Sequence, residues 1–201
     1  MILVIDYDAG NTANVLRALR KLGIPAELSA DPEKILSASG LILPGVGAYP
    51  TAMKELEERG LVSVIKEAVA KGTPLLGICL GMQLLTEQGL EHEETQGLGF
   101  IPGVCRAIPA NKEKPVPHTG WNNLHVQQAT ALTAGLEDKD VYFVHSFFTD
   151  VPRQYIDVVA DYGIQIPAMI HKEKVFGAQF HPEKSGDIGL GIIEKFVNLC
   201  Q

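Results

Sequence analysis

The stretch Pro74-Leu75-Leu76-Gly77-Ile78-Cys79-Leu80-Gly81-Met82-Gln83 constrains this chain more than any other. An apolar run of strand length leads into a cysteine, with glycine two residues before it and two after it. The residues that follow, Gln83-Leu84-Leu85-Thr86-Glu87-Gln88, read as a helix. A strand that turns into a helix at one residue presents that residue as a nucleophile, here a thiol. Glycine is needed on both sides because a side chain there would collide with a neighbouring strand or helix. The thiol would sit at a helix N-terminus, where free N–H groups and the dipole favour thiolate. The competing reading of Cys79 is a small buried apolar residue, a common use of free cysteine.

A second motif lies a hundred residues on. The apolar segment Val175-Phe176-Gly177-Ala178-Gln179-Phe180 reads as a buried strand and ends in His181-Pro182-Glu183. In an extended chain, residues two apart share a face, so His181 and Glu183 are expected to meet. Pro182 between them fixes one backbone angle and restricts both side chains. A carboxylate beside an imidazole fixes its tautomer and stabilises its protonated form. Cys79, His181 and Glu183 then supply a nucleophile, a base and an orienting group.

The first ninety residues alternate strand and helix signals. Strands are expected at Ile2–Asp6, Ala26–Ser29, Leu41–Leu43 and Leu75–Ile78. Helices are expected at Thr12–Leu22, from Asp31-Pro32-Glu33, around Ala52–Arg59 and at Leu61–Lys71. Asp31 suits an N-cap with proline at the first helical position, and Gly72 a C-terminal stop. Short apolar strands between helices imply a parallel sheet covered on both faces. Beyond residue 100 short extended stretches dominate: Val104–Ile108, Asn123–Val126, Val141–His145, Ile156–Ala160, Ala168–His171 and Val175–Phe180. A helix over Asp187–Leu199 follows them. The expected fold is one α/β domain over residues 1–201, an open, mostly parallel sheet with added antiparallel strands. Ligand sites in such sheets lie at the carboxyl ends of the strands, where Cys79, the Pro44–Gly47 loop and His181 all fall.

These signatures resemble those of the class I, triad-type glutamine amidotransferases. Pro44-Gly45-Val46-Gly47, Pro117-His118-Thr119-Gly120-Trp121-Asn122 and Tyr142-Phe143-Val144-His145-Ser146 narrow the likeness to the glutaminase subunits of imidazole glycerol phosphate synthase, of histidine biosynthesis. The likeness spans essentially the whole chain. It implies hydrolysis of glutamine at Cys79 and delivery of ammonia to a cyclase subunit, a (β/α)₈ barrel, in a heterodimer. One departure stands in the first loop, Asp6-Tyr7-Asp8-Ala9-Gly10-Asn11, where glycine is expected in place of Asp8.

The resemblance also implies roles for other residues. Gly47, with the Leu80 N–H, would form the oxyanion hole, and glycine there would let a peptide flip so that the hole forms on demand. Gln83 and Glu91 would lie near the substrate α-amino group, opposite the backbone of His145, Ser146 and Phe147. Gln83 stands one helical turn after Cys79, whereas Glu91 sits in the acidic run Glu91-His92-Glu93-Glu94, which could equally be a solvated loop. His145 is a second candidate base, although nothing in the sequence orients it. Asn11, Asn14, Trp121, Tyr142 and Lys184 would lie near the contact with the synthase.

Composition sets further bounds. A net charge of −7 argues against nucleic-acid or anionic-membrane surfaces. Three cysteines, Cys79, Cys105 and Cys200, show no metal spacing and no paired framework. His92, His118, His125 and His171 have no ligand-like spacing, so no metal is expected, and no cofactor is expected because the thiolate supplies the covalent chemistry. The apolar start, Ile2-Leu3-Val4-Ile5, is too short to span a bilayer and has no basic leader, so a cytosolic protein is expected. Gly186-Asp187-Ile188-Gly189-Leu190-Gly191 lacks a phosphate-loop spacing and is expected to let the last helix pack closely. The alternatives are the glutaminase of another synthase (anthranilate, guanylate or pyridoxal phosphate), a non-catalytic scaffold of the same fold, or a peptidase- or glyoxalase-like enzyme on the same elbow.

Overall fold

A computed structural model describes residues 1–109 and 112–201. In chain order the first half gives β1 (Ile2–Ile5), α1 (Thr12–Lys21), β2 (Ala26–Ser29), α2 (Pro32–Ser37), β3 (Gly40–Leu43), α3 (Tyr49–Glu58), α4 (Leu61–Ala70), β4 (Leu75–Ile78) and α5 (Leu80–Gln83). The second half gives β5 (Thr86–Gly89), β6 (Thr95–Gln96), β7 (Ile101–Ala107), β8 (His118–Asn123), β9 (His125–Val126), β10 (Asp140–His145), β11 (Phe147–Asp150), β12 (Ile156–Asp161), β13 (Gln165–Lys172), β14 (Val175–Ala178) and α6 (Gly186–Leu199).

The main sheet has eight strands in the order β2-β1-β3-β4-β14-β13-β12-β9. The first five run parallel and the last three are added antiparallel, as the sequence pattern implies. Alternation along the strands divides the core. Ile2 and Val4 pack with Leu19 of α1 and Phe196 of α6, while Leu3 and Ile5 pack with Leu56 of α3 and Ile65 of α4. Both faces of β1, β3, β4 and β14 are buried, which is why these strands are apolar throughout instead of alternating. The cap of α2 forms as expected, with the Asp31 carboxylate accepting from the Glu33 N–H at 2.9 Å. Gly189 lets α6 lie against the 182–184 turn, since a Cβ there would come within 1.9 Å of the Pro182 carbonyl oxygen.

Among the described residues two smaller sheets accompany the main one: the antiparallel ribbon β10-β8 and the four-stranded β11-β7-β5-β6. They correct one expectation. The helix does not continue over 84–88. The helix after Cys79 is a single turn, and Thr86 ends it by donating its hydroxyl to the Gln83 carbonyl at 2.7 Å. Leu84 and Leu85 are buried in the turn, and β5 then pairs in parallel with β7. A one-turn helix carries little macrodipole, so its help to a Cys79 thiolate is smaller than a full helix would give.

Candidate active site

Cys79 occupies the tip of the elbow with φ 54° and ψ −112°, left-handed backbone that a non-glycine residue adopts only under constraint. Its N–H is held by the Ala178 carbonyl of β14 at 2.8 Å. Added Cβ atoms show why glycine flanks it: one on Gly77 would lie 2.5 Å from the Gly81 carbonyl oxygen, and one on Gly81 would lie 1.9 Å from that of Leu43. The sulfur is 3.9 Å from the Val144 carbonyl oxygen and 3.8 Å from the Gln179 amide nitrogen.

His181 and Glu183 meet by a different route from the one expected. β14 ends at Ala178, and Pro182–Lys184 form a 3-10 turn, so the pair is not on an extended strand. The turn brings His181 Nδ1 within 2.8 Å of Glu183 Oε1, with both side chains buried. The carboxylate fixes the proton on Nδ1 and leaves Nε2 for chemistry. Burial works against the charged imidazole, yet hydrogen bonding to Cys79 and Glu183 outweighs it and pushes the His181 pKa up to about 9. At neutral pH the site therefore holds an imidazolium. Burial pushes the Cys200 thiol up to about 11 and the Cys105 thiol higher still, so both stay protonated and unreactive.

These groups open on a cavity of about 340 Å³ lined by Val46, Gly47, Cys79, Leu80, Gln83, Glu91, Val144, His145, Ser146, Phe147 and His181. Every residue expected at the oxyanion hole or the glutamine pocket thus borders one space with the elbow cysteine and the imidazole. Gly47 has φ +100° with open space around its Cα, so the conformation, not crowding, calls for glycine. Glu91 is half-buried among exposed neighbours, and its carboxylate accepts from the Tyr49 N–H at 2.9 Å, pinning the start of α3 just after the Gly47 loop. Gln83 gives its amide nitrogen to the Phe147 carbonyl at 3.0 Å and to Gln179 Oε1 at 3.1 Å, which leaves an acceptor oxygen for a ligand. The Ser146 carbonyl accepts from the Ile108 N–H at 2.9 Å, and the trans peptide turns the Phe147 N–H the opposite way.

One group here escaped the sequence reading, and another gains an orientation that the sequence did not give it. Gln179, fully buried inside an apolar segment, bridges Gln83 and Cys79, and nothing in a lone glutamine distinguishes it. His145, which the sequence left unoriented, is held at both ring nitrogens, Nδ1 by the Phe147 carbonyl at 2.7 Å and Nε2 by His118 at 2.9 Å. Asp8 proves to have φ +60°, so the position where glycine was expected does require left-handed backbone; an ion pair with Arg59 accompanies the aspartate.

The residues expected at a partner contact fall near the site. Trp121 is 60% exposed and faces Tyr142 across the ribbon, their rings 6.2 Å apart, while the Lys184 ammonium lies 6.0 Å from the Tyr142 ring. Val144 continues that outward face to the cavity, where exposed Val46 also lies. Asn14 borders a small cavity with Glu183, and Asn11 precedes the first turn of α1. Among the described residues, His125, Glu137 and Asp138 bring potential metal-ligand atoms within 4.8 Å of one another, a grouping the spacing of the histidines did not reveal. They are exposed or half-exposed, and none lines the cavity.

Comparison with known proteins decides the family. The model of the class-I glutamine amidotransferases matches residues 3–198. This chain belongs to that family. Among curated amidotransferase relatives, the "Imidazole glycerol phosphate synthase subunit HisH" of Streptococcus mutans is 74% identical over 200 residues, covering 100% of both chains. The protein of the same name from Listeria monocytogenes is 52% identical over 196 residues, covering 98% of this chain and 94% of its own. Among solved structures, a crystal structure of a glutamine amidotransferase superposes with TM-score 0.78 at 23% identity, covering 100% and 99% of the two chains. The PurLQS structure from Thermotoga maritima gives TM-score 0.76 at 20% identity, covering 100% and 98%. The structural likenesses establish the amidotransferase fold, an open α/β sheet with helices on both faces.

Proposed function

We propose that this chain is the glutaminase subunit of an imidazole glycerol phosphate synthase, hydrolysing glutamine and passing ammonia to a cyclase subunit. The observation that carries the chemistry is the buried 2.8 Å His181–Glu183 bond facing Cys79 in one cavity. The similarity to the Streptococcus mutans and Listeria monocytogenes subunits supports the choice of synthase over those for anthranilate, guanylate or pyridoxal phosphate.

The Cys79 thiolate adds to the amide carbon of glutamine, and the carbonyl electrons move onto oxygen. The Leu80 N–H and the Gly47 loop receive that oxyanion, each donor lowering the barrier by about 3 kcal/mol. The His181 imidazolium gives its Nε2 proton to the departing nitrogen, ammonia leaves, and a thioester remains. The now neutral His181 takes a proton from water, whose oxygen attacks the thioester. Collapse of that adduct expels the thiolate and releases glutamate. Glu183 holds the ring in place through both halves. The Gln83 oxygen and the Glu91 carboxylate receive the substrate ammonium, and the Phe147 N–H and its neighbours receive the carboxylate.

The cation raised on His181 is what suits the site to this reaction, because the leaving group must be protonated as it departs. Ammonia released into water at neutral pH would become ammonium and lose its lone pair, so a dry path into a docked cyclase is part of the mechanism. Exposed Trp121 and Val144, with half-buried Tyr142 between them, provide an apolar rim beside the cavity for that docking. Asn11, Asn14 and Lys184 flank it. Among the described residues, no helix is long and apolar enough to cross a membrane; a cytosolic, cofactor-free enzyme folded as one domain completes the proposal.

The chemistry is tested by a glutamine-like electrophile. Covalent labelling is expected at Cys79 alone and is expected to be suppressed by glutamine. Labelling that glutamine does not compete, or that falls on Cys105 or Cys200, would contradict it.

A further inference from the structure

Two buried histidines and an asparagine form a chain of hydrogen bonds whose direction is fixed at both ends. At one end the Phe147 carbonyl, which can only accept, lies 2.7 Å from His145 Nδ1, so that nitrogen carries the proton. At the other end the Asn122 amide nitrogen lies 2.9 Å from the Asp161 carbonyl oxygen and 3.1 Å from His118 Nε2. The Asn122 oxygen accepts from the Asn123 N–H at 2.8 Å, so the amide cannot be turned round. Asn122 therefore donates to His118 Nε2. His118 Nδ1 then carries a proton and donates to His145 Nε2 at 2.9 Å. The two ends, reasoned separately, give the same polarity, and both rings must be neutral. Burial as the first cause holds His118 at about 4 and His145 at about 3, in agreement with that deduction.

We infer that His118 and Asn122 are positioning residues: they lock His145 neutral in its Nδ1–H tautomer and through it fix the Phe147 peptide wall of the glutamine pocket. The Phe147 carbonyl receives both His145 and Gln83, so the chain reaches from the β10-β8 ribbon to the pocket and, through Gln179, to Cys79. Both nitrogens of His145 are occupied, so His145 is not the base. His118 is also stacked between Phe143 and Tyr162, with ring centroids 4.5 Å and 4.0 Å away. Phenylalanine at position 118 keeps that stack and removes only the hydrogen bonds.

The inference rests on the proposed glutamine pocket, so wild-type glutaminase activity in the complex with the cyclase, absent in Cys79→Ala, is established first; its failure sinks that reading and not this one. His118→Phe is then expected to raise KM for glutamine about tenfold, the net worth of one lost buried hydrogen bond. On the same footing kcat should change less than about threefold, and alkylation of Cys79 by iodoacetamide should keep its wild-type rate. His118→Asn returns a donor near the place of Nδ1 and is expected to recover most of the KM. Unchanged kinetics in His118→Phe, or a loss confined to kcat and alkylation, would overturn the inference. Nitrogen-15 spectra of the wild-type protein at pH 7 give a test independent of folding of the variants. A proton on His145 Nδ1 and none on Nε2 is required; the opposite tautomer, or a charged ring, overturns the inference.

Discussion

The charge on His181 sets the pH range in which the proposed reaction runs. Its pKa is raised to about 9, above the ordinary 6.5, so the proton it must give to ammonia is present at neutral pH and lost as pH rises through about 9. Glutaminase activity of the complex is expected to fall along an alkaline limb near that value. Glu183→Gln removes one of the groups that hold the proton, so the limb should move to lower pH. The rate at neutral pH should drop on the order of 10⁴-fold, as when the orienting carboxylate of a serine triad becomes an amide. An unmoved limb measured in kcat/KM against pH would count against the assigned pair. Of these residues, Cys79, His181 and Glu183 were legible in the sequence because elbow and triad chemistry restrict residue type and spacing. Gln179 and His118 were not, since a buried polar side chain gains its role from partners 96 and 27 residues away.

At the scale of elements, the elbow and the Gly47 loop use glycine for opposite reasons, and the two can be separated. A methyl on Gly81 has no room beside the Leu43 carbonyl, so Gly81→Ala is expected to lower stability by more than about 3 kcal/mol, seen in denaturant unfolding. A methyl on Gly47 meets nothing, but φ +100° strains any L-residue by about 1–3 kcal/mol. Gly47→Ala should therefore fold with a modestly lower Tm and lose far more activity than stability. Equal losses in the two measurements would contradict the loop's proposed part in the oxyanion hole. The parallel half of the sheet could be read from sequence because both of its faces are buried and its strands are apolar runs. β5 and β8 were harder, although β10 was expected over Val141–His145. Leu84-Leu85 continues a helical pattern, and distant partners turn the chain into a strand: the Leu98 and Phe100 N–H groups take the Leu84 and Leu85 carbonyls, and β5 pairs with β6 and β7. His118–Asn123 is polar along most of its length and becomes a strand by pairing with β10, a contact no local pattern announces.

For the whole molecule, two further expectations concern stability and assembly. His118 and His145 are neutral when folded and bind protons readily when unfolded. Their contribution to stability is therefore fully present above pH 6.5 and declines as pH falls toward about 4 and 3. Thermal unfolding between pH 7 and 4 should show this decline, and His118→Phe should soften it. Trp121→Ala is expected to weaken binding of the cyclase subunit about 30-fold, the loss of roughly 2 kcal/mol typical of an aromatic anchor, measured by calorimetry. Glutaminase of the isolated chain should be nearly untouched by that change.

The central claim is that a Cys79 glutaminase works for a cyclase partner. Its most direct test measures glutamate released from glutamine by this chain alone and mixed with the cyclase subunit of imidazole glycerol phosphate synthase, with Cys79→Ala as control. Weak release by the chain alone, strong stimulation by the cyclase and loss of both in the variant is the predicted result. Release that ignores the cyclase, or that survives Cys79→Ala, would contradict the account.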